Sequence, residues 1–439
     1  MEWGSARRVA ASYGTPGSPV DVPLAEALGY ALAGPLTALV PSPSYDSSAM
    51  DGYAVAGPGP WRVVGRVLAG DPTPGAAGPA EPGTPPGHGA RTAGTGVLFE
   101  PDALIPQSVT AAEPGARIPQ PGVRILPPGT AVEIATGAVV PPGADAVLPY
   151  EDAVVLPGDG MKIESRPVGE TGREGRAHGG RHIRRTGEDY PAGTVLLAEG
   201  TALTPAALAL AAATGYDTVR VRPRPRVGVI VTGREVRASG LPEPGRVRDA
   251  IGPLLPGLIA RAGGHPRFGT RLGDDRAALA EALRDKGSDV VVVCGATSVG
   301  AADHLRAALK DVDASVLVSG VACRPGHPQL FAALPDGRAV VGLPGNPFAA
   351  LVAAVTLLVP VVERLAGRAP RRPRTARGRD LPSHPRDTRV VPVRYDGDGV
   401  VPVGHDRPGT LWGAALADAL AVVPPRWDGD TPVELLSSG

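Results

Sequence analysis

Between Arg226 and Ala366 the chain repeats one pattern: a short apolar run that passes straight into a Gly-rich turn and then into a segment of helical period. RVGVIVTG (226–233), DVVVVCGATSVG (289–300) and AVVGLPGNP (339–347) are the runs. An apolar run of this length without polar alternation reads as a strand buried on both faces, which in practice means a parallel sheet covered by helices. The intervening segments supply those helices. VRDAIGPLLPGLIARAGG starts one, Asp274 and Asp275 cap a second through Lys286, a third follows Asp303, and a long apolar one follows LPGNP. The alternation predicts a three-layer, doubly wound α/β domain with its ligand crevice at the carboxyl ends of the strands.

At 439 residues the chain is too long for one core, so this unit is one part of a multidomain α/β plus β protein. Residues 21–40 carry Leu and Ala at helical spacing ended by Pro41, and 204–216 reads as a helix with Pro205 near its first position. SSAMDGYAV leads from a turn into a strand at Tyr53–Val55, and 131–153 reads as β segments separated by Pro-Pro-Gly. Gly 60 and Pro 51 are spread unevenly. Residues 75–122 are dominated by Gly, Pro, Ala and Thr and read as a flexible insertion with one short ordered piece near Val97–Leu104. Residues 162–198 are polar and Gly-rich around RHIRRTGED, and the tail from Arg371 reads as a short β module.

Lys+Arg 44 against Asp+Glu 44 argues against a nucleic-acid or membrane-surface binder. Two cysteines, Cys294 and Cys323, exclude a disulfide framework and a zinc ribbon. The N-terminus lacks an apolar signal core and no uninterrupted apolar stretch of ~18 residues occurs, so the expectation is a soluble, cytoplasmic protein without a spanning helix.

Four constellations carry chemistry. In CGATSVG, Gly295, Ser298 and Gly300 let backbone N–H groups approach a phosphate at a helix start, although a tight turn needs glycine equally. Asp303 fits a metal ligand or a helix cap. In LPGNP, Pro344, Gly345, Asn346 and Pro347 form a rigid turn whose amides suit an anion, or merely start a helix. In RPGHP, Arg324 can grip an oxyanion in bidentate fashion, and His327, beside Pro328, adds a charge that depends on protonation. Ser48 and Asp51 sit in a turn, and Thr136 is polar in the same β-rich region.

Taken in order, SSAMDGYAV, ATGAVVPPGADAVLPYED, IRRTGED, VTGRE, GATSVGAAD, RPGHP and LPGNP resemble the molybdopterin molybdenumtransferase family, to which the gephyrin E-domain belongs. The resemblance runs from about Val22 to Gly367 and weakens in the tail. It implies a molybdopterin-binding α/β domain (1–26 plus 199–366) and two β-rich domains (27–45 plus 150–198, and 46–149 carrying the insertion). A C-terminal β-barrel-like domain (367–439) completes the chain. It implies an elongated homodimer that takes adenylylated molybdopterin and molybdate, inserts the metal at the dithiolene and releases AMP with the help of Mg2+. Molybdopterin adenylyltransferase would then be the upstream partner. Asp51, Thr136, Asp249 and Asp303 match the family's polar catalytic positions, Asp249 and Asp303 as metal ligands. Gly295, Ser298, Gly300, Pro344, Asn346 and Pro347 match its nucleotide-binding loops.

The pocket departs from the family pattern. Lys-Pro-Gly-Lys-Pro is Arg324-Pro325-Gly326-His327-Pro328 here, and the Val-Ser after LPGNP is Phe348-Ala349. Asp-Ser-Asn is Asp249-Ala250-Ile251, Gly-Gly-Val-Ser is Gly295-Ala296-Thr297-Ser298, and Ala207 and Gly320 stand where an acid and a Lys are usual. Each lost donor to a charged group is worth on the order of 1.5–3 kcal/mol. Three readings follow: an insertion enzyme with compensating residues, an enzyme of altered substrate on the same fold, or a non-catalytic pterin- or nucleotide-binding scaffold. Because His327 stands where the family has Lys, oxyanion affinity is expected to weaken from about pH 6 to 8.

Overall fold

The computed structural model describes residues 1–70, 125–158, 160–166, 179–295 and 304–437. The insertion at 75–122, and with it Val97–Leu104, lies outside the described residues. Two compact units divide the chain, Met1–Leu36 with Val195–Gly439, and Thr37–Thr194.

The first unit is built on six strands: β1 (Arg226–Thr232), β2 (His265–Leu272), β3 (Val290–Cys294), β4 (Ser315–Ser319), β5 (Leu330–Ala333) and β6 (Ala339–Leu343). Their order is β2-β1-β3-β6-β5-β4. The first four are parallel, as the apolar runs predict, while β5 and β4 extend the sheet antiparallel. β3 and β6 are buried at every position because helices cover both faces.

On one face lie α1 (Trp3–Ala11), α3 (Ile251–Arg261) and the run α6 (Pro347–Ala353), a π-helical turn (Ala354–Leu358) and α7 (Val359–Leu365). α4 (Arg276–Arg284) and α5 (His304–Asp311) cover the other face. α3 buries Ile251, Leu255, Leu258 and Ile259, one stripe of a 3.6-residue period. Asp275 starts α4 by accepting from the Ala278 N–H at 3.1 Å. The 19-residue stretch Pro347–Leu365 has a mean hydropathy of 2.0, yet 78% of it is buried inside the protein, so it serves as the core helix. α1, which the apolar spacing alone does not signal, buries Trp3, Ala6 and Ala10 on this core. Trp3 Nε1 donates to Thr356 Oγ1 at 3.0 Å.

α2 (Pro205–Ala213) starts at Thr204, whose hydroxyl accepts from the Ala207 N–H. The helix expected over 21–40 is absent. Val20–Pro23 pairs antiparallel with Thr218–Arg222, a 3-10 turn spans Leu24–Glu26, and Ala31–Leu32 joins the same small sheet. Pro23, Gly34 and Pro35 break the helical period, and Gly29 turns the chain at φ +82.

The tail forms a closed barrel. Arg374–Gly378, Thr388–Asp396, Gly399–Pro402, Ala419–Val423 and Val433–Leu436 hydrogen-bond in a ring, closed by pairing of Thr388–Asp396 with Ala419–Val423. Cys323–Arg324 adds a short parallel strand to its edge.

The second unit is a six-stranded sheet in the order Ala146–Pro149, Gly52–Ala56, Thr130–Ile134, Trp61–Val67, Lys162–Ser165 and Ala153–Leu156. Gly52 is required there, since a Cβ would sit 2.1 Å from the Leu148 carbonyl oxygen.

Candidate functional site

The carboxyl ends of the parallel strands are where the alternation places the crevice. Arg271, Val231, Cys294 and Leu343 stand in one row across the carboxyl ends of the parallel strands, with Gly295 and Pro344 immediately beyond. Thr232 Oγ1 donates to the Cys294 carbonyl at 2.8 Å, and the Gly295 N–H donates to the Leu343 carbonyl at 3.0 Å. Gly295 turns out of β3 at φ +97, and a Cβ would meet the Thr232 carbonyl oxygen at 3.0 Å. Gly345 lies against it, its Cβ position 3.7 Å from the Gly295 Cα. Two glycines thus bring two loops together without side chains between them, which lets backbone approach a phosphate closely. Ser298, Gly300 and Asp303 lie outside the described residues.

At LPGNP the N–H groups at the helix start are in part already taken. Pro347 opens α6, but the Phe348 N–H donates to the Pro408 carbonyl at 2.9 Å and the Ala349 N–H shares it at 3.4 Å. A carbonyl from the C-terminal barrel therefore occupies the helix end. Gly345 and Asn346 remain exposed, and their N–H groups make no hydrogen bond among the described residues. Pro344 is buried.

Asp249, expected as a metal ligand, is engaged on both oxygens. Oδ1 accepts from the Ile251 and Gly252 N–H groups at 3.1 and 2.8 Å, and Oδ2 accepts from Arg271 at 2.6 Å. Its side chain is 3% exposed and that of Arg271 47%. Gly252 makes this approach possible, since a Cβ would lie 2.4 Å from Asp249 Oδ2. Among the described residues no group of three His, Cys, Asp or Glu side chains could hold a metal ion. A cation at Asp249 would have to displace Arg271, so the described residues do not by themselves form a divalent-cation site.

Arg324 is 59% exposed and donates from Nε to Asp387 Oδ2 at 2.7 Å. That hydrogen bond holds the Asp387 carboxyl below the usual range, with His384 and His327 adding to the effect through their charge. His327 is exposed, and its ring packs over Gly320, whose Cβ position is 3.6 Å from His327 Nε2. A Cβ at 320 would therefore meet the imidazole at ordinary contact distance. Pro328 is half-buried behind it. Both thiols are free and buried. Burial pushes Cys294 up strongly and Cys323 up to about 12, so neither serves as a nucleophile near neutral pH.

In the second unit Asp51 and Thr136 meet, the Thr136 N–H donating to Asp51 Oδ1 at 2.8 Å. Ser48 is buried and closes a turn, donating to the Met50 carbonyl at 2.6 Å. IRRTGED folds against the same turn. Asp46 accepts from Arg185 Nη1 and from the N–H and hydroxyl of Thr186, each at 2.8 Å. Asp46, Thr232, Arg271, Asp387 and Pro408 were not singled out by the sequence. Thr232 lies inside VTGRE, but no motif marks the other four.

The fold and the loop geometry define a class: an α/β protein with two glycine loops abutting at the carboxyl edge of its parallel sheet, in a chain that also carries a β unit and a C-terminal barrel. Comparison narrows the class. The MoeA N-terminal region (domain I and II) matches residues 2–215, a probable molybdopterin binding domain 228–364, and the MoeA C-terminal region (domain IV) 376–429. Molybdopterin molybdenumtransferase 2 of Mycobacterium tuberculosis is 32% identical over 363 residues, covering 80% of this chain and 76% of the relative. The Synechococcus elongatus molybdopterin molybdenumtransferase is 33% identical, covering 78% and 74%. The molybdopterin biosynthesis moea protein from Pyrococcus horikosii superposes with a TM-score of 0.69 at 25% identity, covering 100% of this chain and 99% of that one. The chain belongs to the molybdopterin molybdenumtransferase family.

Proposed function

We propose that the chain is an enzyme of molybdenum cofactor biosynthesis that inserts molybdate into adenylylated molybdopterin and releases AMP. One observation carries this most directly: the glycine loops at Gly295 and Gly345 abut at the carboxyl edge of a parallel sheet, in a chain whose family relatives match most of its length. The loop pair suits the pterin and adenylate phosphates, with the Gly345 and Asn346 N–H groups and Pro344 and Pro347 framing the turn. Arg324 keeps its remaining guanidinium N–H groups for the oxyanion while Asp387 fixes its Nε. His327 adds a donor beside it. Asp51 and Thr136 act as a joined pair in the second unit. Ser298, Gly300 and Asp303, which follow Gly295 in the sequence, are assigned to the same site in this reading.

Mg2+ would assist by neutralising phosphate charge. With Asp249 held by Arg271, this reading assigns Asp249 to shaping the crevice through α3 and leaves Asp303 as the remaining expected ligand. The working form is proposed to be a cytoplasmic homodimer that receives its substrate from molybdopterin adenylyltransferase. The test is AMP release from adenylylated molybdopterin. Release that requires molybdate is expected. Release independent of molybdate, or binding with no release, would overturn the assignment, and light scattering of the purified chain checks the dimer.

A further inference from the structure

Away from the crevice, the arginines of the chain are unevenly placed. The chain as a whole is neutral, but Arg368, Arg371, Arg372, Arg374, Arg377 and Arg379 fall within twelve residues that hold no acid. Three of them, Arg371, Arg372 and Arg374, border a cleft of about 560 Å3 between the helical layer and the C-terminal barrel. Arg261, in the last turn of α3, and Arg7, from α1, border it too. The cleft is remote from the crevice. α3 begins beside Asp249 and runs eleven residues, roughly 16 Å, before reaching Arg261.

What sets these arginines apart is that several of them border one cleft. Many arginines elsewhere are matched with acids, as in Arg226–Asp289, Arg276–Asp311 and Arg338–Asp336. Arg261, Arg371, Arg372 and Arg374 are exposed and form no ion pair among the described residues, although Glu363 and Glu434 border the same cleft. Arg7 is held at the floor by donating to the Val355 carbonyl, and burial lowers its pKa despite those two acids. Glu363, Asp418 and Glu434 are the acids that face the cleft, so five guanidiniums outnumber three carboxylates there. Val355, Val359 and Leu435 give it an apolar wall, and Tyr395 an aromatic edge.

We infer that this cleft is an anion-binding site for a phosphorylated small molecule of nucleotide size, distinct from the crevice. The planar guanidinium fork matches phosphate oxygens in pairs, several converging forks favour an ion with several charges, and the volume lies in the range of small-molecule sites. The probe is inorganic tripolyphosphate titrated calorimetrically into the full chain at low and moderate salt, with citrate as a carboxylate of similar charge. Binding is expected for tripolyphosphate, at least tenfold weaker in R371A/R372A and in R261A, and unchanged in R394A, which removes an exposed arginine outside the cleft. Thermal midpoints measured without ligand establish that each variant is folded. No binding at millimolar tripolyphosphate, equal loss in R394A, or citrate binding as tightly as tripolyphosphate would each overturn the site. The result is independent of molybdate-dependent AMP release, so failure here leaves the proposed reaction standing, and the reverse also holds.

Discussion

Asp249 shows how a residue selected for chemistry can be held by structure. Its carboxylate receives two backbone N–H groups of the first turn of α3 and the Arg271 guanidinium. Asp249→Ala should cost about 2–4 kcal/mol, the loss of a helix cap added to stranded donors. A denaturation midpoint close to wild type would show that the capping role is dispensable. Gly320 and His327 form a second coupled pair. Gly320 has φ +88, so Gly320→Lys should destabilise the fold by about 1–2 kcal/mol through backbone strain. His327→Lys should fold normally and bind molybdate several-fold more tightly at pH 8, measured by calorimetry. Tighter binding in Gly320→Lys than in His327→Lys would contradict the packing described. The motif was legible in the sequence as an altered cation pair. That the imidazole lies beside position 320 was not, because a contact between residues 320 and 327 depends on a left-handed turn that only coordinates show. The thiols give a simpler check. With burial raising both pKa values, neither Cys294 nor Cys323 should react with an aromatic disulfide reagent at pH 8 until the chain is unfolded. Rapid labelling of the native protein would place one of them at the surface.

At the scale of elements, helices and strands with strong internal periodicity were readable, and those decided by their neighbours were not. β1, β3 and β6 are apolar at nearly every position, so burial on two faces was encoded locally. Residues 21–40 carry the apolar spacing of a helix but lie as short strands, because Pro23, Gly29, Gly34 and Pro35 forbid the hydrogen-bond ladder that the spacing invites. α1 is a polar-looking segment that becomes a helix against the α6–α7 face. Trp3 is its anchor, 7% exposed and hydrogen-bonded to Thr356. Trp3→Ala should lose about 3–5 kcal/mol, the range for truncating a buried aromatic side chain. Trp3→Phe should lose much less, since the Thr356 hydroxyl still donates to the Val352 carbonyl at 2.7 Å. Equal losses in the two variants would mean that the indole N–H, and not its area, holds the helix in place.

Across the first unit, the C-terminal barrel is tied to the α/β sheet by more than a linker. Val390, Leu420, Val422 and Leu436 from the barrel belong to the same buried cluster as Phe348, Val361 and Leu255. The Pro408 carbonyl takes the first free N–H groups of α6, at the edge of the crevice. The tail was legible as a β module, but its closure into a ring was not, since the pairing of Thr388–Asp396 with Ala419–Val423 is long-range and leaves no local pattern. The consequence is that the barrel supports the site. A chain ending at Gly367 would expose the apolar face now covered by the barrel and strand the Phe348 N–H next to LPGNP. The expected outcome is a protein that aggregates or melts at least ~10 °C lower, in line with the loss of several buried apolar side chains. A truncated chain that stays monodisperse, melts near the intact protein and still binds nucleotide in the crevice would show the barrel to be an independent appendage.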